Sequence, residues 1–503
     1  MLLAGALPAC SSSLDEAEKN AAQAQALLNA GDLPGARAAI ARALSYRDDQ
    51  LDILLLDARI KTAIQDYSAA YDAYRTVLVF DPNNQEALSF VAQAAAMGGD
   101  DDTAHEMIER ALELNPNNAE VLMSKGVLEI REKQYDEAIK TAEKLMEGQN
   151  GSSGTVLKAR ALFLKGDRAA SYSLLREAAE KLGNDQMVAT ALLENARAEG
   201  DYEAMFEQFT FLALQNAQSA DLAIDEINTR YKAGDITGAR KNGLRFLQKF
   251  GDRTAAVDQL ADLWREYDEE PLTADDILSL SEDAPAIARL AIIQFYLDRG
   301  KDEFIVPLLS NISDPRIYAM MNRLQVRRGD VAGYKGAIQI LQHDQNNCDA
   351  LTAEAEWYLL EGAYIKAVVP AQVVASECRD RSDGYRLLAT AYDKEDRPAA
   401  VERAFREGID VHPQDAGLTR VFSDWLLTRG RKQSAVSTAR RLTTAAPARN
   451  SSWAIYADVC RKAGNSSCLA DAQKGAKAAR TNFALDPLPG VKRGDTLFGR
   501  TWR

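Results

Sequence analysis

Small and large apolar residues recur along the chain at fixed positions of a thirty-four-residue unit. Counted from Leu51 as position 1, small residues occupy positions 8 and 20 (Ala58 and Ala70), and aromatic residues occupy positions 17 and 24 (Tyr67 and Tyr74). Related patterns start near residues 17, 85 and 119. Apolar positions spaced three and four residues apart predict helices. Two such stretches per unit predict a pair of antiparallel helices, whose small residues let the two backbones approach closely.

Polar turn residues separate these helical stretches. The dipeptide Gly-Asp lies between the two stretches of several units, at 31–32, 166–167, 200–201, 234–235 and 329–330. The segments "DPNN" at 81–84 and "NPNN" at 115–118 follow second stretches. Proline ends a helix because it lacks a backbone N–H, and asparagine suits the turn that follows. The turns therefore delimit repeats of two helices each.

This pattern resembles the tetratricopeptide repeat family. The resemblance covers nearly the whole chain, with units that start near residues 17, 51, 85, 119, 152, 186, 220, 254, 286, 315, 348, 382, 416 and 450. It implies an all-α solenoid of about fourteen helix-turn-helix repeats that form a right-handed superhelix. It also implies that the first helix of each repeat lines a concave groove. The units between 254 and 347 depart from the period, and we expect them to be short.

We expect five segments along the chain. They are a leader and linker (1–16), an N-terminal repeat block (17–151), a central block with irregular units (152–347), a C-terminal repeat block (348–480) and a basic, aromatic tail (481–503). The stretch "GQNGSSG" at 148–154 predicts a hinge or a longer turn. The tail either caps the last repeat, because solenoid ends need a cover, or is a peptide ligand for an anionic partner.

The composition and the charge distribution argue against one class of binding protein and favour another. The chain has 503 residues, 46% of them apolar, and its formal net charge of −14 argues against a general nucleic-acid binder. Residues 416–503 contain 16 Lys or Arg against 5 Asp and no Glu, a net charge of +11, so the remainder carries −25. This asymmetry favours an interaction surface at the basic end, for an anionic polymer or an acidic partner. A solubility gradient along a long surface is the alternative.

The first residues resemble a bacterial export signal. Leu7-Pro8-Ala9-Cys10 is similar to a lipobox, although Pro8 and the lack of a preceding basic region depart from that pattern. The resemblance implies that Cys10 is lipidated and anchors a periplasmic protein to the outer membrane. An apolar N-terminal segment with an incidental cysteine is the alternative. No apolar run is long enough to span a bilayer, so we expect membrane contact through the lipid anchor alone.

Four further cysteines fall in pairs within single repeats. In the repeat frame, Cys348 begins a first helix and Cys378 ends the second helix of the same unit. Cys460 and Cys468 flank the inter-helix turn of the last unit. Antiparallel packing brings the members of each pair together, which favours two disulfides and an oxidising compartment. The alternative is four buried, reduced thiols in a cytoplasmic protein. Zinc is disfavoured because no histidine is placed to complete either pair.

The sequence offers no catalytic constellation. Its three histidines, His105, His343 and His412, have no serine or cysteine partner at a nucleophile spacing. It contains no Gly-rich phosphate loop and no His-x-x-x-His pair. We therefore expect no enzyme activity, no cofactor and no metal, and a role in binding other proteins.

Groove-facing positions, as the family resemblance places them, are mainly apolar in the early units and charged in the late ones. The early positions are Leu55, Leu56, Arg59, Phe90, Gln93, Met97, Met123, Val127 and Ile130. The late positions include Arg386, Arg420 and Arg461. Exposed apolar side chains suit an extended or helical peptide, and methionine adapts to varied shapes. The alternative is that several of these residues pack beneath the adjoining unit.

Together, these observations predict a non-catalytic scaffold for protein partners of an envelope machine. Bacterial tetratricopeptide lipoproteins, which the chain resembles, serve polysaccharide secretion, pilus biogenesis or outer-membrane assembly, and the choice among these rests on analogy. A soluble cytoplasmic adaptor that binds a peptide segment is the alternative.

Overall fold

The helices of the chain pair into consecutive repeats. The computed structural model describes residues 13–148, 151–183, 185–309, 314–379 and 381–480. Within these ranges the chain forms twenty-eight α-helices and one 3₁₀ helix, which pair as the first and second helices of fourteen repeats. This arrangement confirms the all-α repeat solenoid predicted from the sequence. Contacts divide the chain into two compact units, with unit 1 extending to Asn195 and unit 2 starting at Ala196.

Unit 1 contains five helix pairs and most of an eleventh helix. The helices are α1 (Ser13–Asn29), α2 (Leu33–Tyr46), α3 (Leu51–Ala63), α4 (Tyr67–Phe80), α5 (Gln85–Gly98), α6 (Asp101–Leu114), α7 (Ala119–Arg131), α8 (Tyr135–Met146), α9 (Gly151–Lys165), α10 (Arg168–Leu182) and α11 (Gln186–Glu199).

Unit 2 contains the remaining helices. They are α12 (Tyr202–Gln215), α13 (Ala220–Ala233), α14 (Ile236–Phe250), α15 (Thr254–Tyr267), α16 (Ala274–Asp283), α17 (Ala286–Leu297), α18 (Asp302–Ile305), the 3₁₀ helix (Val306–Leu309), α19 (Pro315–Arg327), α20 (Val331–Leu341), α21 (Cys348–Leu360), α22 (Tyr364–Glu377), α23 (Asp383–Lys394), α24 (Pro398–Val411), α25 (Ala416–Thr428), α26 (Lys432–Ala445), α27 (Asn450–Ala463) and α28 (Ser466–Arg480).

The Gly-Asp turns end one helix and start the next. Gly31 has φ = 77°, a left-handed conformation that glycine adopts without steric cost and that ends α1. The Asp32 carboxylate then accepts a hydrogen bond from the backbone N–H of Gly35 at 3.0 Å and caps α2. Asn84 caps α5 in the same way, because its side chain accepts from the N–H of Ala87 at 3.1 Å. The turn residues found in the sequence are therefore helix caps.

Small residues let the two helices of a repeat approach each other. The side chains at positions 8 and 20 of the second and third repeats are fully buried; these are Ala58, Ala70, Ala92 and Ala104. Larger side chains surround them, as Tyr74 and Val77 do on α4. Most of the free energy that stabilises such a repeat comes from burying this apolar face against the neighbouring repeats.

The second half of the Gly/Ser-rich stretch at 148–154 forms the start of a helix. Gly151 begins α9, and residues 149–150 lie outside the described residues. A Cβ added to Gly154 would lie 2.8 Å from the carbonyl oxygen of Ala142 and 2.8 Å from the backbone nitrogen of Met146. Glycine at 154 thus permits a close backbone contact between α8 and α9.

The repeats after residue 254 are irregular, as their sequence indicates. Helix α16 has 10 residues and starts with a capping box between Thr273 and Asp276. The second helix of the next repeat is reduced to the four residues of α18 and the 3₁₀ turn that follows. Large aromatic side chains fill the space left by these short helices, with Trp264, Phe295 and Tyr296 almost completely buried.

Candidate functional site

The predicted groove residues of unit 1 lie on its first helices α3, α5 and α7. Leu55, Phe90, Met123 and Val127 are half-buried, whereas Arg59, Gln93 and Met97 are exposed. The exposed fraction of Met97 is 78%, which is unusually high for an apolar side chain. These residues provide a partly open apolar surface with polar groups beside it.

Two of the predicted groove residues are core residues. Leu56 packs in the cluster that joins α1, α2 and α3, with an exposed fraction of 6%. Ile130 packs with Leu122 and Ala138 and has an exposed fraction of 8%. Both side chains stabilise the contact between adjoining helices and offer little area to a ligand, which was the alternative considered from the sequence.

A hydrogen-bonded cluster fixes the polar edge of this surface. The Nε of Arg59 donates to Glu86 Oε1 at 2.8 Å, and the hydroxyl of Tyr74 donates to the same carboxylate at 2.9 Å. The hydrogen bond from Arg59 holds the pKa of Glu86 below its usual range, although partial burial opposes this effect. The ring of Tyr74 also contacts Phe90, with 4.4 Å between centroids. Phe90 is therefore held in place before any partner binds.

The predicted arginines of the late repeats are exposed, and two of them have carboxylate partners. Arg386 donates to Asp383 at 2.9 Å, and Arg461 donates to Asp458 at 3.2 Å. Arg420 is also exposed. Since nearby aspartates offset much of their charge, these arginines form a mixed-charge surface.

A buried arginine joins four successive repeats of unit 2. The Arg323 side chain has an exposed fraction of 0%, and its Nη2 lies 3.1 Å from Glu356 and 3.7 Å from Asp383. Its guanidinium nitrogens also lie 4.0 Å from Asp298 and from Asp349. These carboxylates come from α21, α23 and the end of α17, so Arg323 on α19 links its own repeat to the preceding repeat and to the two that follow.

Two further arginines complete this network. Arg327 lies 2.8 Å from Glu356, and Arg381 lies 2.6 Å from both Asp349 and Asp383. Burial alone would raise the pKa of Asp383, but Arg323 and Arg381 lower it well below its usual range. The network thus keeps buried charges paired, which a low-dielectric interior requires.

The sequence contained a signal for this network that periodicity reasoning missed. Arg323 and Glu356 both occupy position 9 of their repeats, and they carry opposite charges. Opposite charges at equivalent positions of successive first helices can pair between repeats, as Arg323 and Glu356 do.

Two disulfides lie within repeats of unit 2, as the sequence predicts. Cys348 and Cys378 join the start of α21 to the end of α22, with Cα atoms 6.0 Å apart. Cys460 and Cys468 join α27 to α28 across their turn, with Cα atoms 5.6 Å apart. Each bridge closes one helix pair on itself.

The last helix pair of unit 2 also contacts helices far earlier in the same unit. Lys232 at the end of α13 donates to the carbonyl oxygens of Ala448 at 2.9 Å and Ala479 at 3.1 Å. The carboxylate of Glu266 on α15 accepts from the backbone N–H of Ser451 at 2.8 Å. Glu266 caps the N-terminus of α27, and Lys232 lies at the C-terminus of α28, so both charges complement helix dipoles. No local sequence pattern could reveal contacts over such separations.

Of the histidines, one lies at the surface and another lies at the end of a helix. His105 lies 2.6 Å from Glu132 on the surface, and His412 follows the last residue of α24. Cys10 and the tail 481–503 lie outside the described residues. Among the helices that are described, none combines the length and the apolar character needed to cross a bilayer.

Comparisons with known proteins give relatives in fold only. No family profile and no curated protein sequence matches the chain. A tetratricopeptide repeat protein from Parabacteroides merdae is 15% identical over 49% of this chain and 98% of its own length, with a TM-score of 0.40. PilW, described as a widely conserved type IV pilus biogenesis factor, is 16% identical over 41% of this chain and 96% of its own, with a TM-score of 0.35.

A third solved structure is YrrB, described as a tetratricopeptide protein with an unusual peptide-binding site. It is 20% identical over 35% of this chain and 90% of its own, with a TM-score of 0.31. The thirty-four-residue period and the fourteen helix pairs of the described residues give the chain the fold of tetratricopeptide repeat proteins.

Proposed function

We propose that the chain is a non-catalytic scaffold that binds segments of other proteins on the first helices of unit 1. The observation that carries this proposal is the partly open apolar surface formed by Leu55, Phe90, Met97, Met123 and Val127. An exposed apolar surface with a polar edge is typical of a protein interaction site.

The side chains of this surface suit a peptide rather than a small molecule. Phe90 is held against Tyr74, so a partner would meet a rigid aromatic anchor at low entropic cost. Met97 is free to adapt, because its flexible side chain is largely exposed. A partner segment would bury apolar side chains on these residues and place polar groups near Arg59 and Glu86.

Site-specific crosslinking in living cells tests this proposal. A photoreactive benzoylphenylalanine at Gln93, which is exposed on α5, should capture protein partners on irradiation. The matched control replaces Thr76, which is exposed on the second helix α4, in the same way. Adducts specific to position 93 support the proposal, and identical adducts at both positions, or none at 93, contradict it.

We further propose that this scaffold works in the periplasm, anchored to the outer membrane through Cys10, in an assembly or export machine of the envelope. The disulfides Cys348–Cys378 and Cys460–Cys468 support an oxidising compartment. The lipobox-like sequence before Cys10 supports the anchor. A cytoplasmic adaptor is the competing function.

Cell fractionation separates these two functions. The full chain should sediment with membranes, and Cys10→Ser should release it into the soluble fraction because the lipid is lost. Soluble wild-type protein with four free thiols would contradict the envelope proposal and favour the adaptor.

A further inference from the structure

A surface cavity of about 540 Å³ lies between α6, α7 and the turn before α8. Its volume falls in the range of sites that hold a ligand or a large side chain. The lining side chains of α6 are His105, Ile108, Glu109, Leu112 and Glu113, and those of α7 and the turn are Lys125, Leu128, Glu129 and Gln134. Its lining residues on α7, Lys125, Leu128 and Glu129, differ from the α7 residues of the proposed binding surface, Met123 and Val127.

The cavity has an apolar floor. Leu128 is almost completely buried, with an exposed fraction of 1%, and Ile108 is buried to a similar degree at 4%. Leu112 is half-buried beside them. These side chains offer apolar area to an aliphatic or aromatic group that enters the cavity.

The charge of the cavity is negative and incompletely balanced. Lys125 is paired with Glu129 at 2.6 Å, and Glu129 also accepts from Thr141 at 2.8 Å. Glu109 and Glu113, on the exposed edge of α6, have no ion pair within the described residues. The cavity therefore combines an apolar floor with two carboxylates that lack a cation.

The surrounding sequence strengthens this negative field. Residues 100–148 contain 13 Asp or Glu and 6 Lys or Arg. By contrast, the segment 491–503 contains Lys492, Arg493, Arg500 and Arg503 with a single acidic residue, together with Phe498 and Trp502. This segment lies outside the described residues. It combines the basic and aromatic groups that the cavity would accept.

We propose that this cavity binds the basic, aromatic segment 491–503 of a second copy of the chain. An aromatic side chain such as Trp502 would cover the apolar floor, and neighbouring arginines would pair with Glu109 and Glu113. The contact joins different surfaces of two copies, so it is heterologous and builds chains or rings of molecules. This contact between two copies requires neither the proposed binding surface on the first helices nor the proposed cellular location.

Photo-crosslinking of the full chain tests this contact. Trp502→benzoylphenylalanine in a tagged copy is mixed with untagged wild-type chain and irradiated. We expect an adduct of two chains whose crosslinked peptide maps to α6–α8. An adduct that maps elsewhere, crosslinks confined to single chains, or no crosslink at all contradicts the proposal.

Variants of the receiving copy identify the carboxylates. Glu109→Gln with Glu113→Gln should lower the yield of the two-chain adduct about fivefold, since two partly exposed charge pairs are lost. Glu203→Gln with Glu207→Gln on α12 is the matched control, because these exposed glutamates have the same four-residue spacing. The control should change the yield less than about twofold. Equal yields from both double variants would overturn the assignment of Glu109 and Glu113.

A synthetic peptide of residues 481–503 gives a second measurement. It should compete with adduct formation, and its binding to the full chain should weaken as salt is raised, because exposed charges are screened. Failure to compete would show that the segment does not occupy the cavity.

Discussion

Unit 1 and unit 2 are built from the same kind of antiparallel helix pair, but they are stabilised in different ways. In unit 1 the buried residues form several small, alanine-rich clusters, each confined to neighbouring repeats. In unit 2 one large cluster extends from Ala220 to Leu324 around large aromatic side chains, and a second large cluster extends from Ala355 to Ala472. Unit 2 also contains both disulfides and the network around Arg323. Unit 1 therefore depends on local packing, whereas unit 2 has added links.

This difference indicates that one part of a repeat protein can be adaptable while another part is stabilised by additional contacts. A solenoid held only by neighbouring contacts can open locally, because each repeat is stabilised mainly by the adjacent ones. Local opening suits a surface that adapts to partners, as proposed for α3, α5 and α7. Unit 2 departs from the regular repeat between α16 and α19, where buried aromatic side chains and the network around Arg323 supply contacts.

Removing the buried arginine should have the largest effect. Arg323→Ala leaves Glu356 and Asp383 buried without their shared cation, and we expect a loss of about 3–5 kcal/mol in the stability of unit 2. Hydrogen exchange of peptides from α19–α23 measures this loss. Arg316→Ala, which removes an exposed pair with Asp314 on the same helix, is the control and should change exchange little. Equal protection in both variants would show that the network does not stabilise unit 2.

Loss of the longer disulfide should have the next largest effect. The bridge between Cys348 and Cys378 spans a sequence separation of 30. Replacing both cysteines by serine should lower stability by about 3–4 kcal/mol, because the unfolded chain is no longer constrained. Removing the shorter bridge, with a separation of 8, should cost less, about 2–3 kcal/mol. Urea unfolding of the full chain, followed by hydrogen exchange in α21–α22 for the longer bridge and in α27–α28 for the shorter one, compares the two losses. A larger loss from removing the shorter bridge would contradict the prediction.

A smaller effect is expected from a close contact in unit 1. Gly154→Ala places a Cβ against the backbone of α8, so α8 and α9 must separate at a cost of about 1–3 kcal/mol. The exchange of amides in α8 and α9 should rise, while that of α19–α23 stays unchanged. Gly417→Ala is the control, because its added Cβ would meet only a side-chain oxygen of Asp415 at 3.3 Å. Unchanged protection of α8 would show that the contact tolerates a side chain.

The smallest effect concerns the polar edge of the proposed binding surface. Glu86→Gln weakens the pair with Arg59, which is half-exposed, so we expect a loss of about 0.5–1 kcal/mol at pH 7. The pKa of Glu86 is lowered in the folded protein. The ionised carboxylate therefore contributes to stability above the ordinary glutamate pKa of about 4.3, and this stabilisation is lost as the pH falls below that value through the lowered pKa. Chemical denaturation at pH 7 and at pH 3 should show the difference between wild type and variant shrinking. A constant difference would contradict the assignment to the ionised carboxylate.

The repeat and its turns were predictable from sequence because they are local. Position 8 and position 20 alanines, Gly-Asp turns and Asn caps each depend on residues a few positions apart. Paired cysteines within one repeat could be placed by the same frame. The predicted start of α3, α5 and α7 at residues 51, 85 and 119 agrees with the structure for this reason.

Features that depend on distant residues were not predictable in this way. The contact of Lys232 with Ala479 joins α13 to α28, which have most of unit 2 between them. The burial of Leu56 and Ile130 depends on how closely adjoining repeats pack, which the repeat frame alone does not specify. Periodicity identifies which face of a helix is apolar, but whether a given side chain on that face is covered is decided by the neighbour.

The redox state of these four cysteines in the cell distinguishes an envelope scaffold from a cytoplasmic adaptor, because disulfides persist in an oxidising compartment and are rare in the cytoplasm. Cells are quenched in acid to trap thiols, the full chain is alkylated without reduction, and its intact mass and disulfide peptides are determined. For an envelope scaffold we expect Cys348 joined to Cys378 and Cys460 joined to Cys468, with none of these four alkylated. Four alkylated cysteines in protein taken directly from cells would contradict a scaffold that works in an oxidising envelope.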